Sequence, residues 1–241
     1  MSHRRSITQQ GGGPPAGYML WLDASDATTV TVVNGKWTAW RDKSANAYVF
    51  DQTSLTDAYP GTVTLNGLAT MSFLSSAWLG CLTRIFTDSL PGVTVFTVGR
   101  AQTAKVLWEL NQSTGNIGHY EIAFYLTDAG TNGFVGRFGY AIDAWIADVD
   151  PASWYLHTVG SNKLKVYHWK NGVASPTSGT VSIAYWFAWD DLPRIGTDRG
   201  GAVNGAGGYV AETLAYPSHL SDSARNAVHA YLAAKWGLTV S

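Results

Sequence analysis

The sequence predicts an all-β protein: a sandwich of two antiparallel sheets with one helix near the C-terminal end. Three observations carry this. Short stretches rich in Val, Thr, Tyr, Phe and Trp recur along the chain, separated by turn signals about every 8 to 12 residues. The turns include Asn34-Gly35, Asn66-Gly67 and Asn171-Gly172, dipeptides suited to the left-handed backbone of tight hairpins. Only residues 221–238 place apolar side chains at helical spacing over several turns.

In chain order, residues 18–23 form the first expected strand, and residues 24–34 read as a loop holding a β-branched run at 28–33. Residues 36–42 follow the Asn34-Gly35 turn. Their Trp37 and Trp40 are three apart, so on a regular strand they fall on opposite faces. Residues 50–60 read as loop. Residues 63–74 and 93–100 are β-rich, the latter suited to a central strand, and 105–110, 120–127, 133–139, 154–160 and 163–170 continue the series. His157 and His168 are expected to face a neighbouring strand or solvent. In the last strand Tyr209, Ala211, Thr213 and Ala215 alternate with Val210, Glu212, Leu214 and Tyr216, and Pro217 ends it because it cannot donate to a ladder. Ser221 is placed to cap the helix, with Asp222 at the positive end of its dipole. Ala224, Ala227, Val228, Tyr231, Leu232 and Trp236 make its apolar stripe, and Gly237 suits a left-handed cap. Such a helix is not stable alone, so its stripe must lie on a sheet.

The chain has 241 residues, of which 14% are charged and 46% hydrophobic, with 26 Gly and 11 Trp. The charged share is well under the roughly 25% usual for soluble domains, which suits an extracellular or virion β protein. With a net charge of -1, no electrostatic attraction to nucleic acid or an anionic membrane is expected. Cys81 is the only cysteine, which excludes an intrachain disulfide and a cysteine-based metal site. No apolar run is long enough to span a membrane and no signal peptide is evident, a pattern that fits release by lysis. Residues 1–17, with four glycines and two prolines, read as an N-terminal arm before a single domain at 18–241. The arm is expected to dock on another virion subunit.

The end of the chain, a strand followed by Leu220-Ser-Asp-Ser-Ala-Arg225 and Tyr231-Leu-Ala-Ala-Lys-Trp-Gly-Leu238, resembles the C-terminal part of laminin-G-like, concanavalin-A-like jelly-roll domains. Leu20-Trp-Leu-Asp-Ala-Ser-Asp26, Trp40-Arg-Asp-Lys-Ser-Ala-Asn46, Asn66-Gly67 before Met71-Ser-Phe73, Asn171-Gly172 and Arg194-Ile-Gly196 follow the same order. The resemblance covers residues 18–238. Ala45 stands where such domains usually have Gly, which puts that turn's geometry in question. The likeness implies a jelly-roll sandwich of the kind found in phage virion and bacterial surface proteins, with its first strand beside its last.

Candidate chemistry is sparse. The three glutamates, Glu109, Glu121 and Glu212, have no acidic neighbour two positions away, so the Glu-x-Asp-x-x-Glu pattern of laminarinase-like relatives is absent. Neither Arg137 nor His119 belongs to a lyase-like constellation. These absences lead to the expectation that the chain is not an enzyme. No histidine pair has metal-ligand spacing, and no cofactor is expected beyond a possible calcium ion, such as laminin-G-like relatives often hold. Asp148 and Asp150 are the metal candidates, two carboxylates on one side of an extended segment; calcium needs more oxygens than they supply. The richest aromatic stretch is Ala184–Asp191. Its Tyr185, Trp186 and Trp189 cannot all point inward, so some must meet solvent, a subunit or a ligand. With Asp190, Asp191 and Trp145 they form the candidate glycan site, rings for sugar faces and carboxylates for hydroxyls. The expected function is a non-enzymatic phage virion component, a head decoration, fibre or tail protein with a lectin-like domain for host attachment, homo-oligomeric and located in the virion. Two alternatives stand beside it: a structural assembly protein whose aromatic surface is a subunit interface, and a divergent glycan-cleaving enzyme.

Overall fold

The computed structural model describes residues 12–51, 58–73, 79–83, 85–87, 89–101, 106–112, 122–126, 134–138, 143–146, 150, 152–175, 179–180, 191–196 and 208–241. Its first nine strands are β1 (Leu20–Asp23), β2 (Val30–Val33), β3 (Lys36–Arg41), β4 (Val49–Asp51), β5 (Ala58–Leu65), β6 (Leu68–Phe73), β7 (Leu79–Gly80), β8 (Val93–Ala101) and β9 (Val106–Gln112). The others are β10 (Ile122–Leu126), β11 (Phe134–Phe138), β12 (Asp143–Ile146), β13 (Tyr155–Ser161), β14 (Lys165–Lys170), β15 (Val173–Ala174), β16 (Gly179–Thr180), β17 (Asp191–Ile195) and β18 (Gly208–Tyr216), followed by the helix α1 (Asp222–Trp236).

The strands form two antiparallel sheets. The first runs β15–β14–β13–β8–β18–β6–β5, with β1 also paired to β18 and β16 to β14. The second runs β12–β11–β10–β9–β17–β7–β4–β3–β2. Leu20, Leu22, Val93 and Val95 of the first sheet pack with Trp40, Phe50, Leu79 and Ile195 of the second in one apolar layer. A second layer lies outside the first sheet, where Phe96, Val98 and Leu214 meet Val228, Leu232 and Trp236 of α1. The molecule is therefore an all-β sandwich with one C-terminal helix on its outer face. Between these layers β18 is buried along its whole length, and β8 lies beside it as the central strand expected.

The helix ends follow the sequence signals. Ser221 Oγ accepts from the Ala224 amide, and Gly237 takes the left-handed conformation at φ 67°. Asn66 of the β5–β6 turn donates its Nδ2 to the Lys235 carbonyl at 2.9 Å, so one hairpin turn also caps the helix. Asn34 and Asn66 are left-handed, as the turn signals require. In the turn after β3 the left-handed residue is Ala47, at φ 51°, not Ala45. Alanine at position 45 therefore meets no backbone demand for glycine.

Several expectations are corrected. Trp37 and Trp40 share one core, their rings 6.2 Å apart and edge-to-face. The reason is a bulge: Thr31 pairs with Ala39 but Val32 with Trp37, which leaves Thr38 unpaired and brings both indoles inward. A second bulge lies in β18, where Val210 pairs with Gly99 and Glu212 with Val98. Val210 therefore stays in the inter-sheet core while Glu212 faces the helix, against the simple alternation. The buried side of α1 includes Arg225, His229 and Ala233, and Ala227 is exposed. Arg225 lies over the Trp169 ring and His229 hydrogen-bonds Thr158 at 2.8 Å, so polar groups with partners displace the apolar stripe. His157 and His168 are both buried, rings 5.9 Å apart. Strands occupy parts of the expected loops at 24–34 and 50–60: β2 in the first, and the end of β4 and the start of β5 in the second. Part of the N-terminal arm rests on its own domain: Pro14 is buried and the Pro15 carbonyl accepts from Tyr216 at 2.8 Å. Residues 1–11 lie outside the described residues.

The first and last strands pair as the resemblance implied, Asp23 directly opposite Glu212. Glu212 is fully buried. Its Oε1 accepts from Trp21 Nε1 at 2.7 Å and Tyr231 at 3.0 Å, and its Oε2 from Trp236 Nε1 at 2.6 Å. Lys235 Nζ stands 2.8 Å from both Glu212 and Asp23. Lys43 adds contacts to Asp23 at 3.1 Å and Asp26 at 2.8 Å. Burial pushes the Glu212 carboxyl up, and Lys235 pulls against it. Asp23 is held below its ordinary value: burial would raise it, but Lys235, Ser25 and Lys43 together outweigh that. Asp26 is pulled down from 3.8 to about 2, chiefly by its bond to Lys43.

Breaking a buried ion pair from one side costs about 3 to 5 kcal/mol, and an amide at 212 would point a donor at donors. Glu212→Gln should therefore lose about 3 kcal/mol or more in urea unfolding; a midpoint unchanged from wild type would refute this tie. Asp26 adds a pH signature. Its folded-state pKa lies below its unfolded value, so its contribution is present above about pH 4 and disappears as pH falls toward 2. The stability difference between wild type and Asp26→Asn should shrink across that window, and a difference constant from pH 6 to pH 2 would count against the assignment.

Candidate functional site

A pair of carboxylates brought together by the fold is the first place to look for chemistry. Asp23 and Glu212 are such a pair, missed in the sequence because 189 positions of chain separate register partners on β1 and β18. Only the cross-strand pairing joins them. Their surroundings close them off: two indoles, a tyrosine and Lys235 use the Glu212 oxygens. Flanking a glycosidic bond requires free carboxyl faces. This pair holds strands and helix together.

An open cavity of about 390 Å³ lies on the second sheet, lined by Asn46, Tyr48, Val49, Asp51, Leu82 and Thr83, with Ala47 beside them. The volume falls within the roughly 300 to 1,000 Å³ usual for ligand pockets. The local backbone builds it. Asp42 ties the preceding turn, its Oδ1 accepting from the Trp21 amide at 2.6 Å and the Ser44 amide at 2.9 Å. The left-handed Ala47 then turns the chain into β4. There Phe50 enters the core, so its neighbours Val49 and Asp51 lie on the outer face. Asp51 Oδ1 is shielded from solvent and has no hydrogen-bond partner among the described residues. A buried acceptor without a donor is uncommon in a folded protein. Val49 is 38% and Leu82 71% exposed, giving the rim an apolar surface beside the polar Asn46 and Thr83. Burial pushes the Tyr48 hydroxyl up, with Asp42 and Cys81 adding to the effect, so Tyr48 stays neutral.

The residues singled out in the sequence fare differently. Tyr185, Trp186, Trp189 and Asp190 lie outside the described residues. Asp191 and Trp145 are placed by backbone only, on β17 and β12. Asp148 is outside the described residues. Asp150 is exposed, and its carboxylate accepts from the Ala152 amide at 2.9 Å and Ser153 Oγ at 2.7 Å; those bonds hold it below the ordinary aspartate value. Among the described residues no group of three or more His, Cys, Asp or Glu side chains is arranged to hold a metal ion. No helix among them is long and apolar enough to cross a membrane. No sequence pattern marks the pocket, although the Trp40–Asn46 stretch ends in one of its lining residues. The missing signal was Asp51, which reads in sequence as a loop aspartate.

No protein-family profile matches the chain, and no curated protein matches it by sequence. Solved structures do match by shape. An arabinofuranosidase complexed with arabinofuranosyl-alpha-1,2-xylobiose superposes with a TM-score of 0.66 at 15% identity, over 93% of this chain and 60% of that one. The Trypanosoma rangeli sialidase gives 0.64 at 12% identity, over 90% of this chain and 33% of that one. The binding domain of botulinum neurotoxin DC in complex with SialylT gives 0.55 at 12%, over 90% and 52%. The chain spans less than two thirds of each. These likenesses show a shared β-sandwich fold. They overturn the expectation that the chain is not an enzyme, which rested on the missing acidic and lyase-like patterns: the fold is one that glycoside hydrolases share.

Proposed function

We propose that this chain is a glycan-recognising β-sandwich module, carried on a phage particle for contact with the host surface. The carrying observation is Asp51 Oδ1, a shielded carboxylate oxygen in the wall of an open pocket with no donor among the described residues. A sugar hydroxyl is the donor it lacks, and the neutral Tyr48, Val49 and Leu82 suit the C–H faces of a ring. The named relatives support the same class of ligand: one is a toxin domain in complex with SialylT, another an arabinofuranosidase with an arabinoxylobiose. The virion setting is supported by the low charged fraction, the Gly-rich composition and the laminin-G-like resemblance. Assembly contacts proposed for the arm fall on residues 1–11, since Pro14 and Pro15 are engaged with their own domain.

A glycan array should show binding by wild type, and Asp51→Asn should weaken the best hit about tenfold or more, since a hydrogen bond to a charged group contributes about 1.5 to 3 kcal/mol. Melting should not fall, because Asp51 Oδ1 has no protein partner to lose among the described residues. A silent array, or undiminished binding by Asp51→Asn, would refute the pocket. The second reading, glycan cleavage, is favoured by the matches to glycoside hydrolases. It predicts release of reducing ends from the array hit on prolonged incubation; an unchanged glycan by mass spectrometry would exclude it.

A further inference from the structure

The second sheet ends at β2, and among the described residues no strand pairs with its outer edge. An open edge presents unused backbone donors and acceptors, which folded proteins commonly blunt with charge, proline or cover. From Ala27 to Gly35 the chain carries no charged side chain and no proline. Val32 and Val33 are 48% and 49% exposed. The free backbone groups can be located. Asn34 and Gly35 are both left-handed, so they close a two-residue hairpin in which Val33 and Lys36 exchange their bonds. The amide and carbonyl of Val32 therefore point the other way, to the open edge. The Val30 amide is already taken by the Ala27 carbonyl. The bulged residue lies in β3, so β2 keeps its own alternation. Val30 packs against the inter-sheet core, and Val32, two positions on, lies on the same face.

We infer that β2 pairs antiparallel with β2 of a second copy of this chain, about a two-fold axis at Val32. In that register Val32 meets its own counterpart, Thr31 meets Val33 of the second copy, and the free amide and carbonyl of Val32 are both bonded. The strand itself selects a second copy. A two-fold axis sets a strand against its own sequence, and a stretch without charges then opposes no like charges. The two Val32 side chains carry the inter-sheet apolar layer from one molecule into the next, since Val30 beside them already packs against it. Four residues make a short seam, so the association is concentration-dependent. The axis stands perpendicular to the sheet, and the outer faces of the two second sheets turn the same way. The pairing does not depend on the sugar reading. Where that reading holds, the two Asp51 pockets open on one side, five strand spacings or about 24 Å apart, an arrangement that raises avidity for a multivalent surface.

The test is sedimentation equilibrium of the whole chain over a concentration series, with cysteine cross-linking to fix the register. Wild type should pass from monomer to dimer as concentration rises. Val32→Lys sets two ammonium groups opposite each other and should weaken dimerisation about tenfold or more. The position is half exposed, so the variant should fold, which circular dichroism checks. Val32→Cys should oxidise to a disulfide-linked dimer, because hydrogen-bonded counterparts on the axis have Cα atoms about 5.5 Å apart, within disulfide range. Val33→Cys should link far more slowly, since its opposite residue is Thr31 of the second copy. Cys81 is buried and does not compete. A wild type monomeric at every concentration, a folded Val32→Lys that dimerises unchanged, or equal cross-linking at both positions overturns the pairing. A monomer that binds a foreign extended peptide at this edge overturns it too. A silent glycan array removes the sugar reading and leaves the dimer standing.

Discussion

The buried carboxylate of Glu212 is the constraint from which the rest of the structure follows. It sits where β1, β18 and α1 meet, and each contributes a donor or a counter-charge: Trp21 from β1, Tyr231, Lys235 and Trp236 from α1. Asp23 doubles the negative charge across the register, and Lys235 serves both. An ion this deeply buried is tolerated only when its lone pairs are filled and its charge balanced. A helix shifted by one residue, or a first strand slipped in register, would leave it exposed to neither water nor partner. The tie therefore specifies alignment more than it adds stability. The bulge in β18 belongs to the same device, since without it Glu212 would share the Val210 side and enter the inter-sheet core.

Much of this architecture was legible in the sequence, because it depends on local signals. Asn66-Gly67, Ser221 and Gly237 each state a backbone conformation that few other residues would favour. The pairing of first and last strands came from resemblance. What escaped were features decided by non-local contacts. Two bulges broke the period of two, and nothing in Lys36–Arg41 or Gly208–Tyr216 announces an extra residue. The helix stripe shifted because Arg225 and His229 found an aromatic face and a hydroxyl on the sheet. Pattern reading assigns such residues to solvent, since it cannot see their partners.

The candidate site was less legible for a related reason. Aromatic crowding at 184–191 stands out in the sequence, whereas the pocket is defined by something missing among the described residues, a donor for Asp51. An unsatisfied group has no sequence signature. The Asp23–Glu212 pair was invisible to a search for acidic residues at short spacing, since a sheet brings together residues from opposite ends of the chain.

These two groups of charges divide the protein into different tasks. On the first sheet the charges are saturated by neighbours and covered by α1, so substitution there is felt as stability. On the outer face of the second sheet Asp51 has an oxygen without a partner among the described residues, beside an open cavity. A fold already fixed by a closed ionic tie can tolerate such an oxygen, whose desolvation would otherwise weigh against folding. On the proposed reading, a ligand that supplied the missing hydrogen bond would recover that cost, so an atom unfavourable in the free protein would become favourable in the complex. On that reading, the sandwich separates the sheet that determines its shape from the sheet that meets a ligand.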